Sequence, residues 1–337
     1  MLLTLVLCVS CSKNYPVYQD NKVENFTNNF ITQYGIPDST HTWGFGNVTR
    51  SADVNSNMWT GVPENITEAE SLKVVNHFNT TRYPVSINLN WTNFYVQHIH
   101  RGHSNMDHLR CANGDHINNF NATFGSIMKM VNSSTSNFDY HNSLDSKYHN
   151  EFVIQQIDGC YYVGFDFYAN GQNPNQQEAR DGFYNDWIVK ISPAYDKIII
   201  AEDLGAAESD YDYNDVVFGI DGNIVTLLAA GGTLPLYIDG IEVHEKFDVS
   251  VTTMVNTFNY YEYPPVQFVI GNYNNIRDIP ITVLKSGELY TIPYFTGKPS
   301  AKICVNHGFI WSKERVPIHT VYPLFKDYVN NQNIVWY

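Results

Sequence analysis

Apolar and polar residues alternate with a period of two along much of the chain from residue 83 onward. Tyr83–Leu89 sets Val85, Ile87 and Leu89 on one side, and Asn93–Ile99 alternates in the same way. Such spacing puts successive side chains on opposite faces of a sheet. Further strands are predicted over 127–131, 161–167, 186–191 and 197–201, then 216–218, 224–230, 234–238, 266–270 and 281–284, broken by Gly, Asn and Pro clusters. Helical spacing is scarce. The best candidate is 322–329, where Leu324, Phe325 and Tyr328 share a stripe and Pro323 sits in the first turn. The pattern predicts an all-β chain, an antiparallel β-sandwich or jelly-roll-like fold with a short C-terminal helix. It is read as one sandwich or as two packed sandwiches with a seam near 222–232. Residues 12–80 are rich in Asn and Thr with weak periodicity, and read as an N-terminal extension or small subdomain ahead of 81–337.

One segment carries more chemistry than the strands around it. From Glu202 to Asp215 the chain reads EDLGAAESDYDYND, in which Glu202, Asp203, Glu208, Asp210, Asp212, Asn214 and Asp215 offer side-chain oxygens and no Lys or Arg intervenes. If extended, the segment would place Asp210, Asp212 and Asn214 on one side and Tyr211 and Tyr213 on the other. Converging carboxylates call for a compensating cation, and Ca²⁺ takes about six to eight such oxygens. The run is not an EF-hand, because Asp215 stands where that loop needs Gly and Asp221 where it needs a bidentate Glu. A sandwich-loop site is expected instead, with Asp210, Asp212 and Asn214 as direct ligands and Glu202 or Asp203 reaching in from the preceding strand end. Asp215 is placed as a ligand or a loop cap, and Asp186 and Asp166 as carboxylates lent by neighbouring strands. A solvated acidic loop is the plainer alternative.

Several strings resemble the LruC-type domain of surface lipoproteins from gut Bacteroidetes. They are YYVGFDF at 161–167, YNDWIVKI at 184–191, AEDLG at 201–205 running into DYDYNDVVF at 210–218, LAAGGTLP at 228–235, and WSKE at 311–314 leading to Tyr322-Pro323 and Trp336-Tyr337. The resemblance covers roughly 83–337 and implies an all-β fold, a surface or periplasmic lipoprotein, and Ca²⁺ binding through the Asp-rich string. It implies no established activity.

The N-terminus bears on address. Met1–Val9 is almost wholly apolar and ends in Cys8-Val9-Ser10-Cys11 before the polar Ser12-Lys13-Asn14. This resembles the end of a bacterial lipoprotein signal peptide over 1–11, with Cys11 lipidated after cleavage. The pattern departs from the usual one in lacking a basic n-region, as if the start lay inside the signal, and in having Cys8 where leucine is usual. The stretch is shorter than the roughly 18 apolar residues a membrane-spanning helix needs. An outer-membrane or cell-surface location, held by the lipid anchor, is therefore expected. A formal charge of −14 at pH 7 disfavours nucleic acid and anionic lipid as direct partners. Beyond the signal, Cys111, Cys160 and Cys304 remain, without CxxC spacing, compatible with one disulfide and a thiol or with three buried thiols.

Rival chemistries find less support. His98, His100, His103, His108 and His116 lie close in sequence, and two histidines two apart on a strand can bind zinc or copper, with Asp107, Cys111 and Asp115 as the nearest further ligands. The chain has no Gly-x-Ser-x-Gly, no His-Glu-x-x-His and no Gly-rich phosphate loop. Paired acids can hydrolyse glycosides at suitable separation, but here they cluster as a calcium set would, so no enzyme is expected. The expected role is that of a calcium-binding surface lipoprotein with a structural or adhesive function. The alternative is a calcium-dependent carbohydrate-binding module, for which Trp59, Trp91, Trp187, Trp311 and Trp336 are candidate platforms, with glycans or other surface proteins as partners.

Overall fold

The computed structural model describes residues 21–46, 61–102, 108–110, 116–118, 123–131, 151–166, 181–204, 209–258 and 262–337. Cys11, Trp59, His103, Asp107, Cys111, Asp115 and Glu208, named above, lie outside them. Two helices come first, α1 (Asn21–Tyr34) and α2 (Glu68–Thr80). Then come β1 (Asn93–Arg101), β2 (His108–Arg110), β3 (His116–Asn118), β4 (Ile127–Val131), β5 (Glu151–Ile157), β6 (Cys160–Asp166) and β7 (Trp187–Pro193). The chain continues with β8 (Lys197–Ala201), β9 (Val216–Asp221), β10 (Ile224–Ala230), β11 (Leu236–Ile238), β12 (Ile241–Glu242) and α3 (Val243–Lys246). The last elements are β13 (Val266–Val269), β14 (Ile281–Lys285), β15 (Glu288–Thr291), β16 (Lys302–Asn306), α4 (Ile318–Val321) and α5 (Phe325–Asn330).

Three antiparallel sheets carry the fold: β4-β1-β7-β6-β5, β13-β10-β9-β8-β16 and β12-β11-β14-β15, with β2-β3 as a separate pair. The architecture is the sandwich-like antiparallel β fold that the alternation predicts, including the short helix near the C-terminus. In the first sheet the alternation is used fully. Tyr161, Val163 and Phe165 on β6, with Trp187, Val189 and Ile191 on β7, enter the main core, whereas Tyr162 and Ile188 face α2 through Val74 and Phe78. The second sheet is covered on both faces, so β8, β9 and β10 read as almost unbroken apolar runs, each nearly wholly buried. Strand β10 continues from β9 through a tight turn at Gly222, so the stretch 222–232 lies within one sheet for most of its length.

The departures from expectation have local causes. Tyr83–Leu89 is extended but forms no ladder. It lies against the outer edge of β5, where the Ile87 N–H donates to Ile154 O and the Gln155 amide donates to Val85 O, while the Val85 side chain is 88% exposed. At the C-terminus Leu324 is exposed, and the buried stripe is Phe325, Tyr328 and Val329. The helices α1 and α2 have no counterpart in the period-two reading. In α1, Phe26, Phe30 and Tyr34 recur every four residues and pack with Trp43 and Tyr211 in the same core as the sheets. In α2, Thr67 accepts the Glu70 N–H at 3.1 Å, the first half of a capping box in Thr-Glu-Ala-Glu. The Glu70 carboxylate does not reach back. It bonds Lys190 Nζ at 2.6 Å and Tyr162 OH at 2.8 Å, fixing α2 to the first sheet. Thr67→Ala is expected to cost about 1 kcal/mol, read as a lower urea midpoint at unchanged slope; an unchanged midpoint would show that the cap contributes nothing.

Candidate metal centre

The acidic segment joins β8 to β9 at one end of the second sheet, and it is not extended. Leu204, Tyr211 and Tyr213 adopt left-handed backbone angles, with φ of 55°, 57° and 56°. This corrects the flat alternation expected from the sequence. The Tyr side chains do separate from the acids, but by a winding backbone that drives both rings into the core. Tyr211 packs on Phe26, Phe30 and Tyr34 and donates its hydroxyl to Phe26 O at 3.0 Å, while Tyr213 donates to Ser300 O at 2.9 Å. Left-handed geometry is uncommon for a residue with a Cβ, so the two buried phenols hold a loop that would otherwise relax.

That winding brings Glu202, Asp210 and Asp212 together, each offering an oxygen within 4.8 Å of the others. Glu202 and Asp212 are buried and Asp210 is partly open to solvent. Their remaining hydrogen bonds come mostly from backbone. Tyr213 N–H donates to Glu202 Oε1 at 2.7 Å, Ser209 donates its hydroxyl to Glu202 Oε2, and Asn214 and Arg315 N–H donate to the two oxygens of Asp212 at 3.1 and 2.7 Å. These donors orient the acids without neutralising them. Among the described residues, the cation whose charge acts on Asp210 and Glu314 is Arg315, whose side chain is 83% exposed and lies 3.8 Å from Glu314.

Asp203, Asn214 and Asp215 turn the other way, toward Gly231-Gly232. Asp203 N–H donates to Asp215 Oδ2 at 2.6 Å, Asp215 O accepts the Gly231 N–H at 2.8 Å, and the Asn214 amide donates to Ser312 O at 3.1 Å. So the sequence-derived ligands fall into two groups rather than one ring. Asp186 belongs to neither. It immediately precedes β7 of the first sheet, its N–H bonded to Phe165 O and its carbonyl to the Gly102 N–H. Asp166 accepts the Gly182 N–H at 3.1 Å, and Asp221 pairs with Lys129 and Asn93. Sequence reasoning did not assign Glu314 to the site, although it lies in the quoted WSKE string; it lies about a hundred residues downstream, and only the fold returns it to Asp203 and Asp210.

The electrostatics follow from burial without counter-charge. Burial, then the charges of Asp212 and Asp210, hold Glu202 well above the usual carboxylate range. Burial and then Asp210 push Asp212 up to about 8, and burial and then Asp203 raise Asp215 well above its ordinary value. Asp210 and Glu314 are raised as well, burial being the first cause in each. At an effective dielectric of about 20, two charges about 4 Å apart repel by roughly 4 kcal/mol, so this group is held neutral by protons or compensated by a cation.

The histidines offer no comparable convergence among the described residues. His98 is buried and accepts the Trp187 indole N–H at 3.1 Å, and a bulge between His98 and His100 breaks the regular register there. His108 and His116 lie on the paired β2 and β3. Comparison with protein-family models, curated proteins and solved structures found no match to this chain.

Proposed function

We propose that the protein is a calcium-binding surface lipoprotein in which the ion stiffens the loop between β8 and β9, in a structural or adhesive role. The observation that carries this reading is the convergence of Glu202, Asp210 and Asp212 with no buried Lys or Arg partner among the described residues. Hard carboxylate oxygens with backbone-oriented geometry suit Ca²⁺ better than softer metals. The structural role is preferred to a lectin-like one because the candidate platforms Trp91, Trp187, Trp311 and Trp336 are all buried, where they act as core. No catalytic step is part of this reading.

Tb³⁺, which takes calcium sites, reports directly here because Tyr211 and Tyr213 adjoin the ligands. Tyrosine-sensitised Tb³⁺ emission that Ca²⁺ displaces, and that Asp210→Asn removes, is the expected result. Emission indifferent to Ca²⁺, or none at all, would leave a proton-compensated acidic loop. The surface location rests on Cys11 and has its own test. Cys11→Ala is expected to move the protein from the membrane to the soluble fraction or leave it unprocessed, and unchanged fractionation would remove the anchor from the proposal.

A further inference from the structure

A cleft of about 660 Å³ opens beside β5 and β13, the edge strands of the first and second sheets. That volume falls in the range of ligand sites, about 300–1,000 Å³. Its apolar lining includes Leu89, Ile154 and Phe247, all buried, and half-buried Phe152. Its polar lining comes from Asn88, Lys246 and Asp248, all exposed, and from half-buried Tyr263, whose ring stands edge-on to Phe247 with centroids 6.2 Å apart. Two side-chain amides hold the walls. Asn256, itself 3% exposed, donates to Tyr263 O at 2.9 Å and accepts the Tyr263 N–H at 3.1 Å. Asn90 does the same to Gln267 of β13, donating to its carbonyl at 3.0 Å and accepting its N–H at 3.1 Å. Trp91 Nε1 donates to Pro265 O at 2.7 Å. The walls are thus fixed by the fold itself, which leaves little ordering cost to binding.

The same contacts decide what can enter. A free sheet edge invites an extended peptide. Here Pro265 O and both backbone groups of Gln267 are already taken, and 83–89 lies along β5, so the cleft offers no open edge for an added strand. What it offers instead is a donor-only amine, an acceptor-only carboxylate, and an amide and a phenol that do both. The charges of Lys246 and Asp248 balance. A ligand that suits this set is neutral, carries hydroxyls that both donate and accept, and has an apolar face to lay on the rings. A sugar ring has all three properties. We propose that the cleft binds a neutral oligosaccharide, with Asn88, Lys246 and Asp248 meeting its hydroxyls and Phe152 and Tyr263 its ring faces. The site uses neither an ion nor the buried tryptophans, so it goes beyond the calcium reading and does not depend on it.

The probe is a printed array of neutral hexose and N-acetylhexosamine oligosaccharides, with proline-rich and alternating Val-Thr peptides alongside, read with the labelled full chain with and without EDTA. The expected result is binding to at least one neutral oligosaccharide, unchanged by EDTA. It should fall at least tenfold in Asn88→Ala and at least threefold in Asp248→Asn. Both positions are exposed, and Asn tolerates the left-handed backbone at 248, where φ is 57°, so neither variant should melt lower. Should one do so, Lys246→Gln is the second variant, with at least a threefold loss expected. No glycan signal, a signal confined to the peptides, or glycan binding that none of the substitutions weakens would overturn the proposal. Glycan binding abolished by EDTA would also overturn it and move the sugar to the acids. Failure of the Tb³⁺ test beside EDTA-resistant glycan binding would remove the calcium reading alone.

Discussion

Metal-stripped protein is expected to melt several degrees below protein in excess Ca²⁺, and the gap should widen as the pH rises from 5 to 8. An ion that binds only the native state at about a hundredfold over its Kd adds about 2.7 kcal/mol, which for a chain of this size is about 5 °C or somewhat more. The pH dependence follows from Asp212, whose folded pKa of about 8 stands above its ordinary value of 3.8. A group with a raised folded pKa stabilises the fold fully while protonated below its ordinary value, and that contribution is lost as the pH climbs through the raised one. Glu202 and Asp215 shift in the same direction. Metal-free protein should therefore weaken between pH 5 and 8, just where the deprotonated acids gain most from Ca²⁺. Asp212→Asn should abolish both the calcium increment and much of the pH slope. Differential scanning calorimetry with and without EDTA at the two pH values decides it. Coincident melts, or a metal-free protein that gains stability with pH across this window, would show that the acids need no ion.

The second large effect lies far from the acids. Gly44 has φ of +77°, and a Cβ there would overlap the carbonyl oxygen of Cys304 on β16. The neighbouring Cys304 N–H donates to Trp43 O at 2.9 Å, so the clash cannot be relieved without breaking the contact that seats Trp43 in the core. Gly44→Ala is expected to cost about 3–5 kcal/mol, at the severe end for a single substitution. Gly287, in the β14–β15 turn, makes the control. Its φ is +83° but a Cβ would meet nothing within 4 Å, so Gly287→Ala should cost only the left-handed penalty of about 1–2 kcal/mol. Chemical denaturation of the pair gives the comparison. Equal losses would mean that backbone conformation alone, and not the approach of Cys304, sets the cost at Gly44.

The strands whose faces are both buried, or cleanly alternate, were legible in the sequence. β1, β6, β7, β8, β9 and β10 all lie where period-two spacing or a short apolar run puts them. β5 was not, because Glu151, Gln155 and Gln156 dilute an edge strand that is half covered by 83–89. Its turn was the readable signal. Asp158-Gly159, like Asp239-Gly240 and Ser286-Gly287, has both residues at positive φ, the geometry that a two-residue hairpin needs. Helix α1 hides because three aromatics in an Asn-rich stretch make a narrow stripe, and their helical spacing is rewarded only by a core that includes Tyr211. At the acidic segment, composition revealed the oxygens but not their grouping. That depends on left-handed Tyr211 and Tyr213, which no local preference favours, and on Glu314 arriving from about a hundred residues downstream.

One donor that aims the acids, and the acceptor that anchors one of the rings shaping their loop, come from far along the chain. Arg315, which bonds Asp212, is 103 residues downstream, and Phe26, which accepts from Tyr211, is 185 residues upstream. A growing polypeptide thus displays Glu202, Asp210 and Asp212 well before it has made the segment that orders Asp212. Until residue 315 is available, the loop has charge but no cradle, and an ion would find only a weak, floppy anionic tether. On the proposed calcium reading, capture of the ion is consequently one of the last events in the birth of the molecule, and marks completion of the β-fold rather than its beginning.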